Sequence, residues 1–219
     1  EVKVQDSLEK RLWSIGQEMR CSRGKMLYYT ADLPFPVTHT PDSFSQFRKE
    51  VERYIPIRKP LPVPDAPMNP PTISIESGNI PSLSDLGHQP FPVDRRAAIC
   101  FKGGEKAGLE RLRSFLWEKE HILNFKDTRN DVFGNGYSSK FSAWLAQGCL
   151  SPKMIYHEVK RFEKERLSNG STYEVLYELM LRDFHRFMTK KHGSKVFQKG
   201  GIKGSPDHTL VNDFVKLEN

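Results

Sequence analysis

Apolar residues recur at helical spacing through most of the second half of the chain. The longest such stripe predicts one helix that opens at Ser171 and Glu174, which have capping-box spacing, and runs to Lys191, near Gly193. Its inward positions are Leu176, Leu179, Met180, Phe184 and Phe187. We expect this helix to lie at the centre of a helical core.

Four more helices are predicted in this half from the same spacing and from capping residues. The first covers residues 105–123, with Leu109, Leu112 and Leu116 inward, and the second covers about 139–147. The third begins at Ser151-Pro152, with Ile155, Val159 and Phe162 inward. The fourth begins at Ser205-Pro206, with Leu210, Phe214 and Leu217 inward. Asn169-Gly170 is predicted to end the third of these, as a left-handed cap would.

The first half of the chain has a more mixed pattern. Leu8, Leu12 and Ile15 form a helical stripe, and Lys25–Tyr29 is predicted to be a strand or extended piece. A helix follows with Thr40 as N-cap and Pro41 at its first position. Its inward residues are Phe44, Phe47, Val51 and Tyr54. Ten of the fifteen prolines then fall between Pro56 and Pro92, which favours extended chain. The predicted fold class is mainly α, divided into 1–55, a proline-rich linker over 56–102, and a helical region over 103–219.

Positive charge is concentrated in the predicted helices. The net charge is +7, and the stretch from Lys153 to Lys203 holds 12 basic and 6 acidic residues. A basic surface can bind phosphate, nucleic acid or an acidic protein, but a solvated helix face explains the same charge. Both interpretations stay open at this point.

Several classes of protein are disfavoured by what the sequence contains. The three cysteines, Cys21, Cys100 and Cys149, are odd in number and widely spaced, which indicates free thiols in a reducing compartment. No apolar run approaches the roughly 20 residues that cross a bilayer. The sequence has no metal-ligand spacing, Walker pattern or hydrolase motif. We therefore expect a chain without a metal site or a transmembrane segment.

A family resemblance rests on a run of short motifs. Thr128-Arg129-Asn130, then Tyr137 through Leu145, then Gly148-Cys149-Leu150-Ser151-Pro152 resemble the flavin-phosphate segment of DASH-type cryptochromes in the photolyase family. Further matches before and after this segment extend the resemblance over about residues 20–214. It implies that 1–55 holds the end of an α/β antenna domain and that 103–219 is a truncated part of the flavin-domain helices.

The resemblance also implies a cofactor-binding segment. Small hydroxyls and free N–H groups at a helix start, beside a lysine, form a site suited to anions. The implied residues are Ser138, Ser139, Lys140, Phe141, Ser142 and Phe125. Phe125 stands where the family has a Tyr and supplies no hydroxyl, so the phosphate site is degenerate. Composition alone would favour an ordinary N-cap at Ser139.

Three positions on the long helix correspond to family residues that contact the DNA lesion or the flavin pocket: Glu178, Leu181 and Arg182. Leu181 and Glu174 replace two tryptophans, and the loss of an aromatic face at Leu181 weakens any DNA-repair role. Glu178 and Arg182 could instead form an ordinary i,i+4 surface pair, worth only about 0.2–0.5 kcal/mol.

These departures favour a protein without catalysis of its own. Our leading hypothesis is a structural or accessory subunit of a larger complex with protein partners, in a chloroplast or mitochondrion, with no catalytic residue and no cofactor expected. FAD would bind only if missing chain or a partner completed the pocket. The alternatives are a piece of a working FAD-binding photoreceptor or single-stranded-DNA photolyase, and a nucleic-acid-binding module that uses the basic helices. Peripheral membrane association stays open.

Overall fold

The described part of the molecule is helical, as the sequence pattern predicts. A computed structural model describes residues 2–20, 24–62, 65, 76, 78–89, 94, 96–131 and 134–204, and these residues form helices but no strand. The α-helices are α1 (Val2–Trp13), α2 (Phe44–Tyr54), α3 (Glu105–Arg113), α4 (Phe125–Thr128), α5 (Ser142–Gln147), α6 (Pro152–Glu165) and α7 (Gly170–His192). None of the described helices is both long and apolar enough to cross a membrane.

Helix α7 is the centre of the core, and its predicted apolar stripe is confirmed. Its buried apolar residues are Val175, Leu176, Leu179, Met180, Phe184, Phe187 and Met188. The predicted caps are wrong: the capping box joins Asn169 and Thr172, not Ser171 and Glu174. Because the Asn169 side chain accepts hydrogen bonds from the first turn of α7, it begins this helix instead of ending α6, which stops at Glu165.

Helix α2 packs its apolar face on α7, but it begins later than the sequence predicts. Phe47 is fully buried, with its ring centroid 5.5 Å from that of Phe184. Ser43 occupies the N-cap position, whereas Thr40 is buried and donates a hydrogen bond to the Val37 carbonyl in a preceding 3₁₀ turn. Tyr54, predicted to face inward, is exposed, and its neighbour Ile55 is buried instead.

The predicted helix over 105–123 is interrupted. Helix α3 continues into one π turn over Ser114–Glu118, and the chain then reverses at Glu120, whose φ of 47° is left-handed. This break turns Ile122 into the core ahead of α4. Leu109, predicted to face inward, is exposed, because the buried face of α3 is formed by Gly108, Arg111 and Leu112.

The N-terminal predictions have mixed outcomes. Helix α1 forms, but Leu8 and Ile15 of its predicted stripe are exposed. Residues 25–29 form no strand and follow a bent path, with bends at 25, 27 and 28, while Leu27 and Tyr28 are buried and the Tyr28 N–H donates to Asp183 of α7. Cys21, the helix predicted from Ser205 and much of the proline-rich region lie outside the described residues.

Candidate functional site

The Ser138–Ser142 segment is a loop that leads into a short helix. Helix α5 begins at Ser142 and has only six residues, so the prediction that it starts near Ser139 is wrong. Ser139 lies in the loop, and Lys140 has a φ of 59°. This left-handed backbone conformation is seldom adopted by residues other than glycine, asparagine and aspartate. The segment predicted to bind an anion is therefore a loop and not a helix N-terminus.

Arg111 of α3 fixes the shape of this loop from inside the protein. Its guanidinium donates to the carbonyls of Asn135 at 2.7 Å, Ser138 at 2.9 Å and Ser139 at 2.9 Å. The residue is 9% exposed, and burial lowers the pKa of its guanidinium. Because the ordinary pKa of arginine is very high, the group still carries its charge at neutral pH. One buried cation thus holds three carbonyls on the same side of the loop.

Two further contacts hold the start of the loop. Thr128 at the end of α4 donates from Oγ1 to the Tyr137 carbonyl at 2.9 Å. The His121 ring lies close to Gly136, where an added Cβ would come within 2.6 Å of the imidazole. The backbone can pass this ring only because residue 136 has no side chain.

Phe125 and Phe141 belong to the core. Their exposed fractions are 4% and 3%, and both pack edge-on against Phe115, with centroid distances of 5.8 and 5.5 Å. Phe125 therefore stabilises the base of the loop and supplies no hydrogen bond to a ligand.

The other predicted positions lie close to this loop, on α7. Arg129, which follows α4, pairs with Glu178 and lies 3.2 Å from the Glu174 carboxylate. Arg182 donates from Nη1 to the Lys25 carbonyl at 2.8 Å, and its Nη2 lies 3.5 Å from the Leu145 carbonyl of α5. The anticipated Glu178–Arg182 surface pair is thus replaced by contacts that each residue makes to other elements.

Leu181 completes the set of predicted positions. It is half-buried against the core on the same helix. The structure therefore brings the hydroxyl loop, Arg129 and the three family positions of α7 together on one side of the molecule.

These residues fit a phosphate group only in part. The hydroxyls of Ser138, Ser139 and Ser142 make no hydrogen bond to another described residue, and Lys140 forms no ion pair with one, so these four side chains can meet an anion. Against this, Phe125 offers no donor, and the nearby Arg129 is neutralised by two carboxylates. The loop suits a single phosphate better than a complete dinucleotide.

Sequence reasoning did not assign the two arginines that organise this region. Arg111 carries a signal in retrospect: Gly108, Arg111, Leu112 and Phe115 have the i, i+3, i+4, i+7 spacing of a buried helix face, which places Arg111 inside. Arg129 belongs to a motif in the sequence, but its pairing with Glu174 has no local signal, because the two residues are 45 positions apart and meet only when α7 packs beside the end of α4. The described residues contain no group of three side chains able to hold a metal ion.

Comparisons with known proteins place this chain beside one group. No family model matches. The chain is 42% identical over 204 residues to cryptochrome DASH of Gloeobacter violaceus, covering 93% of this chain and 40% of that protein. It is 42% identical over 204 residues to a protein of Arabidopsis thaliana named cryptochrome DASH, chloroplastic/mitochondrial, covering 92% of this chain and 35% of that one.

A solved structure agrees with these sequence matches. The crystal structure of a Synechocystis cryptochrome matches with a TM-score of 0.86 and 39% identity, over 97% of this chain and 44% of that one. The predicted resemblance is confirmed. The chain spans about 40% of the length of the relatives that it matches.

Proposed function

We propose that this chain, which is related to the DASH cryptochromes over nine-tenths of its length, acts by binding a protein partner in a larger complex and performs no light-driven chemistry of its own. The observation that carries the proposal is the state of the flavin-phosphate-like region. Phe125 is enclosed in the core, and Arg129 is paired with Glu174 and Glu178. Cofactor chemistry needs a protein that encloses and tunes the cofactor, and these side chains are engaged with one another.

A partner surface is available on the N-terminal helix. Trp13 at the end of α1 is 78% exposed, Ile15 in the turn that follows is 65% exposed, and Leu8 within α1 is exposed as well. Large apolar side chains left exposed within one short segment are candidates for an interaction site. The net charge of +7 favours a partner with an acidic surface.

The experiment is to isolate the protein from its native source and record its visible absorption spectrum and intact mass on one sample. We expect no flavin bands and a defined protein that co-purifies and cross-links. Stoichiometric flavin would overturn the proposal, because it would mean that further chain or a partner completes a working cofactor pocket. A monodisperse monomer with no cross-linked neighbour would overturn it as well.

A second candidate function is favoured by one specific observation, the left-handed Lys140 in a loop whose carbonyls are held by Arg111. Backbone strain and free hydroxyls at the same place are features of anion-binding loops. In this candidate the loop binds a phosphate of FAD in a longer cryptochrome. Titrating the purified chain with FAD tests it: Lys140→Ala should weaken binding about tenfold, since one charge-assisted contact is lost. An exposed control, Lys106→Ala, should leave it unchanged.

Localisation in a plant-type organelle is part of the first proposal. Its support is that the relatives of Arabidopsis thaliana, Solanum lycopersicum and Oryza sativa are named chloroplastic/mitochondrial. Relatives from Xenopus laevis and from cyanobacteria carry no such designation. A fluorescent fusion of the complete gene product, imaged in its own cells, tests the organelle directly.

A further inference from the structure

A cavity lies on a different face of α7 from Glu174 and Glu178. Its volume is about 220 Å³, and it opens between α2, α6 and α7. Its walls are formed by Leu27, Tyr28, Glu52, Ile55, Ile57, Tyr156, Lys160, Tyr173, Leu176 and Met180. Apolar side chains and three tyrosine rings thus surround a rim with one carboxylate and one ammonium group, a combination typical of small-molecule sites.

The Glu52 carboxylate has acceptor capacity to spare. Its Oε1 accepts a hydrogen bond from the Tyr173 hydroxyl at 2.7 Å. Its Oε2 lies 3.7 Å from Arg48 Nε, too far for a hydrogen bond, and that Nε is buried without a partner among the described residues. Arg48 and Glu52 therefore form a long ion pair, which leaves Glu52 Oε2 without a hydrogen bond from this neighbour.

The other polar groups of the wall do not compete for this carboxylate. Lys160 is held by Glu163, with an Nζ to Oε2 distance of 2.8 Å. Burial, together with the hydrogen bond to Glu52, raises the pKa of Tyr173 to about 12, and burial raises the pKa of Tyr28 as well. Both phenols are neutral at physiological pH, so Glu52 is the one anionic group that faces the cavity among its described lining residues.

We propose that this cavity binds a small planar aromatic molecule whose N–H donors face Glu52 while its ring lies between Ile55, Leu176 and Met180. The volume sets the size, because typical ligand pockets hold about 300–1,000 Å³ and this cavity is smaller. One ring or two fused rings fit. A carboxylate oxygen with a free lone pair selects a donor such as an amino-substituted heterocycle over an acidic ring.

The probe is 2-aminobenzimidazole, which has two fused rings and adjacent N–H donors, with benzimidazole-2-carboxylate as the acidic analogue of similar shape. Binding is measured by calorimetry and by protein NMR shifts. We expect saturable binding of the amine, localised to Tyr173 and Leu176, and at least about tenfold weaker binding of the carboxylate, which Glu52 repels.

Three variants locate the site. Glu52→Gln keeps the acceptor for Tyr173 but removes the charge, and should weaken amine binding about tenfold. Glu50→Gln, on the same helix but outside the cavity lining, should leave the affinity unchanged. Ile57→Phe places a larger side chain in the lining of the cavity and should abolish binding, with folding checked by thermal unfolding.

Absence of saturable binding, equal affinity for both probes, or an identical effect of the two glutamate variants would each overturn the proposal. Should Ile57→Phe fail to fold, the pair of glutamate variants decides the question alone. The result is independent of the flavin test, because none of the lining residues belongs to the Ser138–Ser142 loop.

Discussion

Replacing Arg111 with Ala should be among the most destabilising single changes in this chain. The side chain is 9% exposed and donates to three loop carbonyls at distances between 2.7 and 2.9 Å. A hydrogen bond that involves a charged group contributes about 1.5–3 kcal/mol. Part of this is regained when the half-buried loop takes up water. We therefore expect the free energy of unfolding to fall by about 3 kcal/mol.

The assay is urea unfolding followed by far-UV circular dichroism, with Arg113→Ala as the matched control in the same helix. The Arg113 side chain is 75% exposed and, among the described residues, pairs with Glu118 alone, at 3.1 Å, so its loss should cost less than about 1 kcal/mol. Hydrogen exchange of the loop amides over 134–141 should rise in Arg111→Ala and not in the control. Equal effects of the two substitutions would refute the assignment of Arg111 as the residue that holds the loop.

Two other predictions concern buried positions. Burial raises the pKa of Asp183 to about 6, above its ordinary value near 4, so the folded state holds this proton more tightly. The stability that this one group contributes is fully present below about pH 4 and is lost as the pH rises through 6. Measured by urea unfolding relative to Asp183→Asn, the free energy of unfolding of the wild type should fall by about 3 kcal/mol between pH 4 and 7. A difference between the two proteins that does not change with pH would contradict this. Gly136→Ala should lower the free energy of unfolding by about 1–3 kcal/mol, because the new methyl group meets the His121 ring. The control is Gly103→Ala, which has open space around it and should change the melting temperature little.

The helices that were predicted most accurately are those with a dense apolar stripe. Ile155, Val159 and Phe162 are fully buried, as their spacing indicates, and α7 ends near Gly193 as predicted. Helix ends were predicted less well. Asn169 can end one helix or begin the next, and the choice depends on the backbone conformation around it, which the local sequence leaves open.

The sequence predicted which residues belong to the candidate site but not the contacts that shape it. The Ser138–Ser142 segment was located from a motif, yet its helix starts three residues later, and the contacts that shape it come from Arg111 and Thr128, 27 and 9 residues away along the chain. The cavity at Glu52 left no local signal. Its walls come from α2, α6 and α7, and the hydrogen bond from Tyr173 to Glu52 joins residues 121 positions apart.

The sequence by itself determined the helical class, the central position of α7 and the relationship to the DASH cryptochromes, because periodicity and short motifs are properties of neighbouring residues. Only the tertiary structure decided that Arg111 is buried, that Arg129 pairs with Glu174 and Glu178, and that a cavity forms beside Tyr173. Each of these depends on how separate helices pack, and packing selects among partners that are equally suitable on charge and size alone.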